Sequence, residues 1–491
     1  MDVVNLAARV RAPCNYIGVK GPRTTREARL LRLFCDSDPV TEKLERLPSV
    51  LLSFRAANVR SFKDPFELSL RAGTMSNKAV VREVSTRDSS QPVPVLPSAG
   101  LYGANGSGKT NVLRVMHDMR SHVLNSFRSG SPGGVTRHPF LLDSAQRQLP
   151  SRFEIELILE GVRLEYGFEA DDAGYTSEWA HHFPRGRRAL LFSRAGGQIE
   201  LGTEHRAKGR SAAELLRPNA LFLSTATAAA HPGLTPLYNW FSRNLILADA
   251  RTRALRQGYT TGILANDNRR NGVLDVLRLV DAGVTDATKL TMDPVMRERV
   301  RRAIRIMNGQ EGETDSADDT PLPDLGVRLV HQTADGEPVE FNIEDESLGT
   351  LVWFGVVGPV VDALADGCVF LADEIDASLH PHISRQLVRV FQSPLTNPHR
   401  AQLIFNSHDA SLLGDSDEQI LGRDQVWLVD KGADGASHLT QLSTLRARKD
   451  AAIGRRYLAG LYGAIPALSD ENVDRTILHA LGERKCTDVD V

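Results

Sequence analysis

One stretch limits the fold more than any other: Gly103-Ala104-Asn105-Gly106-Ser107-Gly108-Lys109-Thr110 fits GxxxxGK[ST] in full. Glycines at these positions let backbone N–H groups turn inward and approach anionic oxygens closely. The flanks agree. Val93–Tyr102 (VPVLPSAGLY) reads as a short strand entering the turn. Asn111–Ser126 reads as a helix, with Val112, Leu113, Met116, Met119 and Val123 at helical spacing. The positive end of that helix points at whatever the loop holds. A triphosphate suits it. Gly103, Asn105, Gly106, Ser107, Gly108 and Asn111 form the cradle. Lys109 reaches the β and γ phosphates, and the Thr110 hydroxyl ligates a metal. The expected cofactors are ATP and Mg2+.

A second stretch completes such a site. Cys368-Val369-Phe370-Leu371-Ala372-Asp373-Glu374 is an apolar strand ending in two carboxylates. A carboxylate at a buried strand end needs a cation or hydrogen-bond partners. Asp373 suits magnesium, and Glu374 is placed to polarise an attacking water. Strand–helix alternation around the loop predicts an α/β fold with a parallel sheet covered on both faces. Ligands then sit at the carboxyl ends of the strands.

Around these motifs the chain divides into five parts. Residues 1–49 are Arg-rich and without clear period; two readings stand, a disordered arm or a mis-annotated start with translation beginning at Val50. Residues 50–224 open with strand patterns (LLSFRAANVRSF, FELSLRAG) and contain a hairpin at Phe153–Phe168 with Glu-Gly at its turn. Residues 225–325 read as a helical insertion, rich in arginine (Arg251, Arg253, Arg256, Arg269, Arg270), closed by a polar flexible loop at 309–324. Residues 326–445 carry strands near Gly326–His331, Val339–Ile343, Gln402–Phe405 and Gln425–Val429. They also carry helices at Leu348–Leu364, kinked or broken at Pro359, and at Pro381–Phe391. Residues 446–491 form a helical tail.

Composition excludes little. The 491 residues carry a formal charge of -2, so no global charge marks a nucleic-acid binder, although a local basic patch remains open. The four cysteines form no zinc spacing and fit a reducing cytoplasm. No apolar run is expected to reach the roughly 18–20 residues needed to cross a bilayer.

The segment Asp373-Glu374-Ile375-Asp376-Ala377-Ser378-Leu379-His380-Pro381 resembles the ABC-ATPase superfamily. That resemblance makes His408, in Asn406-Ser407-His408-Asp409, the switch histidine that contacts the γ-phosphate. It also makes Ser347 and Gly349, in Glu346-Ser347-Leu348-Gly349-Thr350, the signature that binds the γ-phosphate held by a second subunit. Only a Ser-x-Gly core remains of the transporter form, which favours an SMC-like or RecF-like relative. Arg60-Ser61-Phe62 resembles the nucleotide-facing turn of such heads. No glutamine loop is clear, although Gln146 and Gln148 lie in a linker.

Taken together, SFRAANVRSF, GANGSGKTN, ADEIDASLHP, NSHDASLL and the tail RKDAAIGRRYLAGLYGAIP resemble bacterial AAA-type ATP-binding proteins with an ABC/SMC-like head. This group includes abortive-infection, OLD-like and RloB-associated defence ATPases. The resemblance implies a P-loop NTPase of ABC/SMC-head type, with a mixed sheet, helices on both faces and a helical insertion. It implies a nucleotide-gated homodimer or higher homo-oligomer, with an effector (Toprim or RloB-like) from an adjacent gene. About 80 residues follow His408, short for a Toprim nuclease domain. Asp488-Val489-Asp490 at the chain end reads as a chance Asp-x-Asp. Two alternatives stand beside a defence ATPase: a RecF-like DNA-repair ATPase, and an ATP-binding scaffold with negligible turnover.

Overall fold

Among the described residues the strands form four sheets: a seven-stranded antiparallel one, a six-stranded chiefly parallel one, and two small ones of three and two strands. The computed structural model describes residues 49–73, 76–87, 89–128, 133–266, 268–290, 326–414, 420–445, 452–465 and 470–480. The extension read at 1–49 falls outside them apart from its last residue. The polar loop at 309–324 and the Asp-x-Asp at 488–490 lie wholly outside them.

The strands are β1 (Val50–Ala57), β2 (Phe66–Ser69), β3 (Arg82–Thr86), β4 (Ser89–Val95), β5 (Ser98–Tyr102), β6 (Ser151–Leu159), β7 (Val162–Ala170), β8 (Tyr175–His182) and β9 (Ala189–Ala195). They continue with β10 (Gln198–Leu201), β11 (Leu245–Ala248), β12 (Asp286–Lys289), β13 (Val327–Gln332), β14 (Pro338–Asn342), β15 (Val369–Ala372), β16 (Gln402–Asn406), β17 (Val426–Lys431) and β18 (Ser437–Gln441).

The antiparallel sheet runs β10-β9-β8-β7-β6-β1-β2. Its hairpin β6–β7 turns at Glu160 and Gly161, both at positive φ (49° and 77°), as a two-residue turn between twisted strands requires. On β6 the residues Phe153, Ile155 and Leu157 face the core. Glu154 and Glu156 alternate with them and are paired with arginines, Arg55 and Arg152 for the first and Arg71 and Arg163 for the second.

The second sheet runs β11-β15-β16-β5-β17-β18, parallel except for the last strand. Both of its faces are buried, which is why its strands read as unbroken apolar runs. Val369, Leu371, Ile404 and Val429 join one core with helix α1 (Lys109–Asn125), whose buried face is Val112, Leu113, Val115, Met116, Met119 and Val123. Phe370, Leu403, Phe405 and Leu428 join a second core. That core is built with helices α2 (Arg253–Asn266), α3 (Arg270–Val280), α4 (Leu348–Asp366) and α5 (Pro381–Gln392). The expected α/β arrangement with helices on both faces is therefore present.

Four expectations need correction. The stretch 225–308 is not purely helical: β11 lies inside it and pairs in parallel with β15 at the edge of the loop-bearing sheet, and β12 pairs with β13. Helix α4 is neither broken nor ended at Pro359 but runs on to Asp366. The carbonyl that proline leaves without a helical donor, Gly355 O, accepts from Arg256 Nη1 at 2.8 Å. A strand, β18, intervenes between β17 and the tail. Lastly, α4 is long and apolar enough to cross a membrane by length and composition, with 19 residues and mean hydropathy 1.7. Trp353, Phe354, Val357 and Ala363 are nevertheless buried in the second core.

Candidate functional site

The loop Gly103–Gly108 leaves the carboxyl end of β5 and starts α1. Two of its glycines are needed as such. Gly108 has φ 114°, and a Cβ there would lie 2.4 Å from Ser437 Oγ. A Cβ on Gly103 would lie 2.2 Å from Val429 O. The loop is braced from behind: Ser437 Oγ donates to Ser107 O at 2.5 Å, and Ser437 N donates to Ser61 O at 2.7 Å. Asn111 Nδ2 donates to Ser61 Oγ at 2.8 Å, and Arg60 grips Asp118 on α1 through two bonds of 2.6 and 2.7 Å. The turn Arg60-Ser61-Phe62 thus stands against the loop and the start of its helix.

Lys109 is only 6% exposed. Its ammonium donates to the carbonyls of Gly103 and Ala104 at 2.9 and 3.0 Å. Burial pushes its pKa below the ordinary lysine value, and the carboxylates of Glu374, Asp376 and Asp373 oppose that shift. An ammonium so placed gains from an incoming anion, because the anion offsets the cost of burial.

Thr110 Oγ1 donates to Asp373 Oδ1 at 2.8 Å, which joins the loop to the acidic pair across 263 positions of sequence. Asp373 follows β15, and Asp373 N donates to Ala248 O of β11 at 2.8 Å. Glu374 is exposed and has φ 56°, a left-handed conformation rare for a residue with a Cβ. Asn406, at the end of β16 and 1% exposed, donates from Nδ2 to Asp373 Oδ1 at 2.6 Å and to Thr110 Oγ1 at 3.3 Å. Its Oδ1 accepts from Glu374 N.

His408 lies two residues beyond β16, exposed, its backbone N–H bonded to Asp376 Oδ2 at 3.1 Å. Ser347 caps α4: its Oγ accepts from Thr350 N at 3.1 Å, and Thr350 Oγ1 donates to Asp281 Oδ2 at 2.7 Å. Gly349 abuts Ser378 O, where a Cβ would stand 3.1 Å away. The bonds of Ser347 therefore run to its own helix, beside the segment that follows Glu374, and not to the loop of the same chain. Gln146 Nε2 donates to Lys63 O, in the linker where no role was assigned.

Three participants escaped the sequence reading: Asn406, Ser437 and Asp118. Asn406 stands inside the quoted NSHD, and the signal was a buried polar residue closing an apolar strand. Ser437 belongs to the unread strand β18. Three of the five arginines that mark the insertion are engaged within the fold: Arg256 on Gly355 O, Arg269 on Asp362, and Arg270 on Asp286.

No cluster of three or more His, Cys, Asp or Glu stands ready for a metal among the described residues. The adjacent hydroxyl of Thr110 and carboxylate of Asp373 are hard oxygen donors, and Mg2+ commonly takes one or two protein ligands while keeping its waters. The donor set fits that ion.

A glycine cradle on a helix N-terminus, an inward lysine, and a hydroxyl bonded to a carboxylate on a neighbouring strand define a nucleotide-binding P-loop protein. The chain belongs to the AAA-domain family described as "AAA domain, putative AbiEii toxin, Type IV TA system", whose model matches residues 98–414. The match runs from β5 past His408. Among curated proteins the chain is similar to cytidylate kinase of Sodalis glossinidius (strain morsitans), 25% identical over 245 residues, covering 43% of this chain and 97% of that protein. Among solved structures it is similar to an SMC head bound to the C-winged helix domain of ScpA, at 13% identity and TM-score 0.37, covering 79% of this chain and 96% of that one. A second is the SMC head domain from Thermotoga maritima, at 10% identity and TM-score 0.34, covering 80% and 98%.

Proposed function

We propose that this protein hydrolyses ATP, that two copies close head to head on the nucleotide, and that it is the ATPase component of a bacterial anti-phage system acting with a separate effector. Hydrolysis rests above all on one contact, Thr110 to Asp373 at 2.8 Å, with Glu374 next in the chain. The loop amides and Lys109 hold the β and γ phosphates. Thr110 and Asp373 would hold Mg2+, which supplies positive charge against the transferring phosphoryl group. Glu374 polarises the attacking water, and His408 reads the γ-phosphate from the neighbouring strand end. Ser347 and Gly349 of the second copy close over the same phosphate with the N-terminus of α4. Losing the γ-phosphate removes contacts on both sides and opens the pair.

The defence assignment is supported by the family description, which names a toxin of a toxin–antitoxin system. It is supported too by the tail and motif resemblance set out above. The site of action is the cytoplasm, and the effector is a Toprim or RloB-like product of an adjacent gene. Co-purification with that product tests the partnership.

Turnover of ATP by the purified chain tests the chemistry. Lys109→Ala should lower it by at least about a hundredfold, the scale expected when a preorganised phosphate contact is lost. Undiminished turnover in that variant would reject this site, and negligible turnover in the wild type would leave the scaffold reading. Salt-dependent DNA binding by the isolated protein would instead favour repair.

A further inference from the structure

Asn406 is buried, polar and close to the chemistry, yet no role above uses it. Such a side chain at the end of an apolar strand is costly unless both ends of its amide are engaged. Here both are. The Oδ1 end accepts from Glu374 N, so the amide orientation is set and Nδ2 must face Asp373. That nitrogen donates to Asp373 Oδ1 at 2.6 Å and lies 3.3 Å from Thr110 Oγ1. The register explains how one residue reaches all three. Phe405 pairs with Ala372, so Asn406 is level with Asp373, and β16 also lies beside β5, whose end carries the loop. Ile375 N donates to Asn406 O at 3.2 Å, so backbone and side chain of Asn406 take consecutive N–H groups of the acidic segment.

Two consequences follow. The Asp373 carboxylate is held with Oδ1 committed to Thr110 and Asn406, and its rotation is restricted. Glu374 is held in a left-handed conformation that is unfavourable for an L-residue. The bond from its N–H to Asn406 Oδ1 helps to offset that cost.

We infer that Asn406 is a positioning residue that ties the magnesium-ligating carboxylate Asp373 to the backbone of the water-polarising Glu374 through the two ends of one amide. This deepens the ATPase reading above and rests on it. The side-chain bonds of Asn406 run to Asp373, Thr110 and the Glu374 N–H, so it acts through the geometry of those residues.

The test separates this from a merely structural role. Asn406→Ala and Asn406→Leu are made in the full chain. The leucine fills the same space and serves where the alanine variant does not fold. Calorimetric titration with a non-hydrolysable ATP analogue is run with and without Mg2+, alongside turnover. The wild type should bind the analogue more tightly when Mg2+ is added. Each variant should bind it without Mg2+ within about twofold of the wild type, because the loop is untouched, yet lose most of the tightening and turn over at least about tenfold more slowly. Binding without Mg2+ that falls in step with turnover would overturn the proposal, since the residue would then support the loop as a whole. Unchanged tightening and turnover would overturn it as well. A wild type without Mg2+-dependent turnover would overturn the ATPase reading itself, an outcome visible before any variant is compared.

Discussion

Gly106 and Gly108 both take positive φ, but they do so for different reasons. Around Gly106 an added Cβ would meet nothing within 4 Å, so alanine there pays only the backbone cost of the left-handed region, roughly 1–2 kcal/mol. At Gly108 the same strain is joined by contacts of 2.4 Å with Ser437 Oγ and 2.8 Å with Ser61 Oγ. Those two serines brace the loop, so neither can yield without moving it. Gly108→Ala should therefore weaken analogue binding by more than about tenfold and lower the melting temperature, while Gly106→Ala shifts binding by less than half as much in free energy. Calorimetry and thermal unfolding read both, and equal effects would contradict the distinction. The glycines were legible in the sequence because their demand is local and belongs to the backbone. Ser437 and Asn406 were not, because each meets the loop or the acidic pair across strands whose order no local pattern encodes.

Helix α4 makes the same point one level up. Its apolar run and its Ser347 cap were readable, and Pro359 argued for a kink or a break. The helix continues because a distant element supplies what proline removes: Arg256, on α2, donates from Nη1 to Gly355 O and from Nη2 to Asp249 O at 2.9 Å. Burial draws the pKa of that guanidinium down to about 10, and the Asp249 carboxylate opposes the shift. Arg256→Met keeps the apolar stem and deletes the donors. It should cost about 1–3 kcal/mol, the penalty for leaving a buried carbonyl unsatisfied. Adding Pro359→Ala to Arg256→Met returns an N–H to Gly355 O and should recover part of the loss. Strict additivity of the two changes in a denaturant double-mutant cycle would show that the two sites are not coupled. Strands β11 and β18 escaped for a related reason. The run Leu245–Ala248 is four apolar residues flanked by helical patterns, which period alone cannot separate from helix. In Ser437–Gln441 only the turn residues before it and a weak alternation marked a strand.

At the scale of the whole molecule, the parallel sheet lies between two cores and delivers every loop of the site to one edge. Gly103 ends β5, Asp373 ends β15 and His408 follows β16. The N-terminus of α4 is the exception. Ser347 is exposed, and Leu348 beside it is 53% exposed at the head of a helix otherwise half buried. The bonds of Ser347 run to its own helix, and the proposed head-to-head pair would bring the positive end of α4 to a phosphate held by the other copy. On the proposed mechanism Glu374→Gln would slow hydrolysis without altering the loop, so ATP and Mg2+ should drive that variant to twice the monomer mass in light scattering at micromolar concentration. Adding Ser347→Arg places a long side chain where the proposed second copy would approach. The double variant should remain a monomer while still binding the ATP analogue as the single one does, since the loop that grips the nucleotide lies elsewhere. If Glu374→Gln stays monomeric with ATP saturating, the nucleotide-gated pair is wrong and the half-site in each chain must work alone. If the double variant dimerises as readily as the single one, the pair closes through a face other than the start of α4.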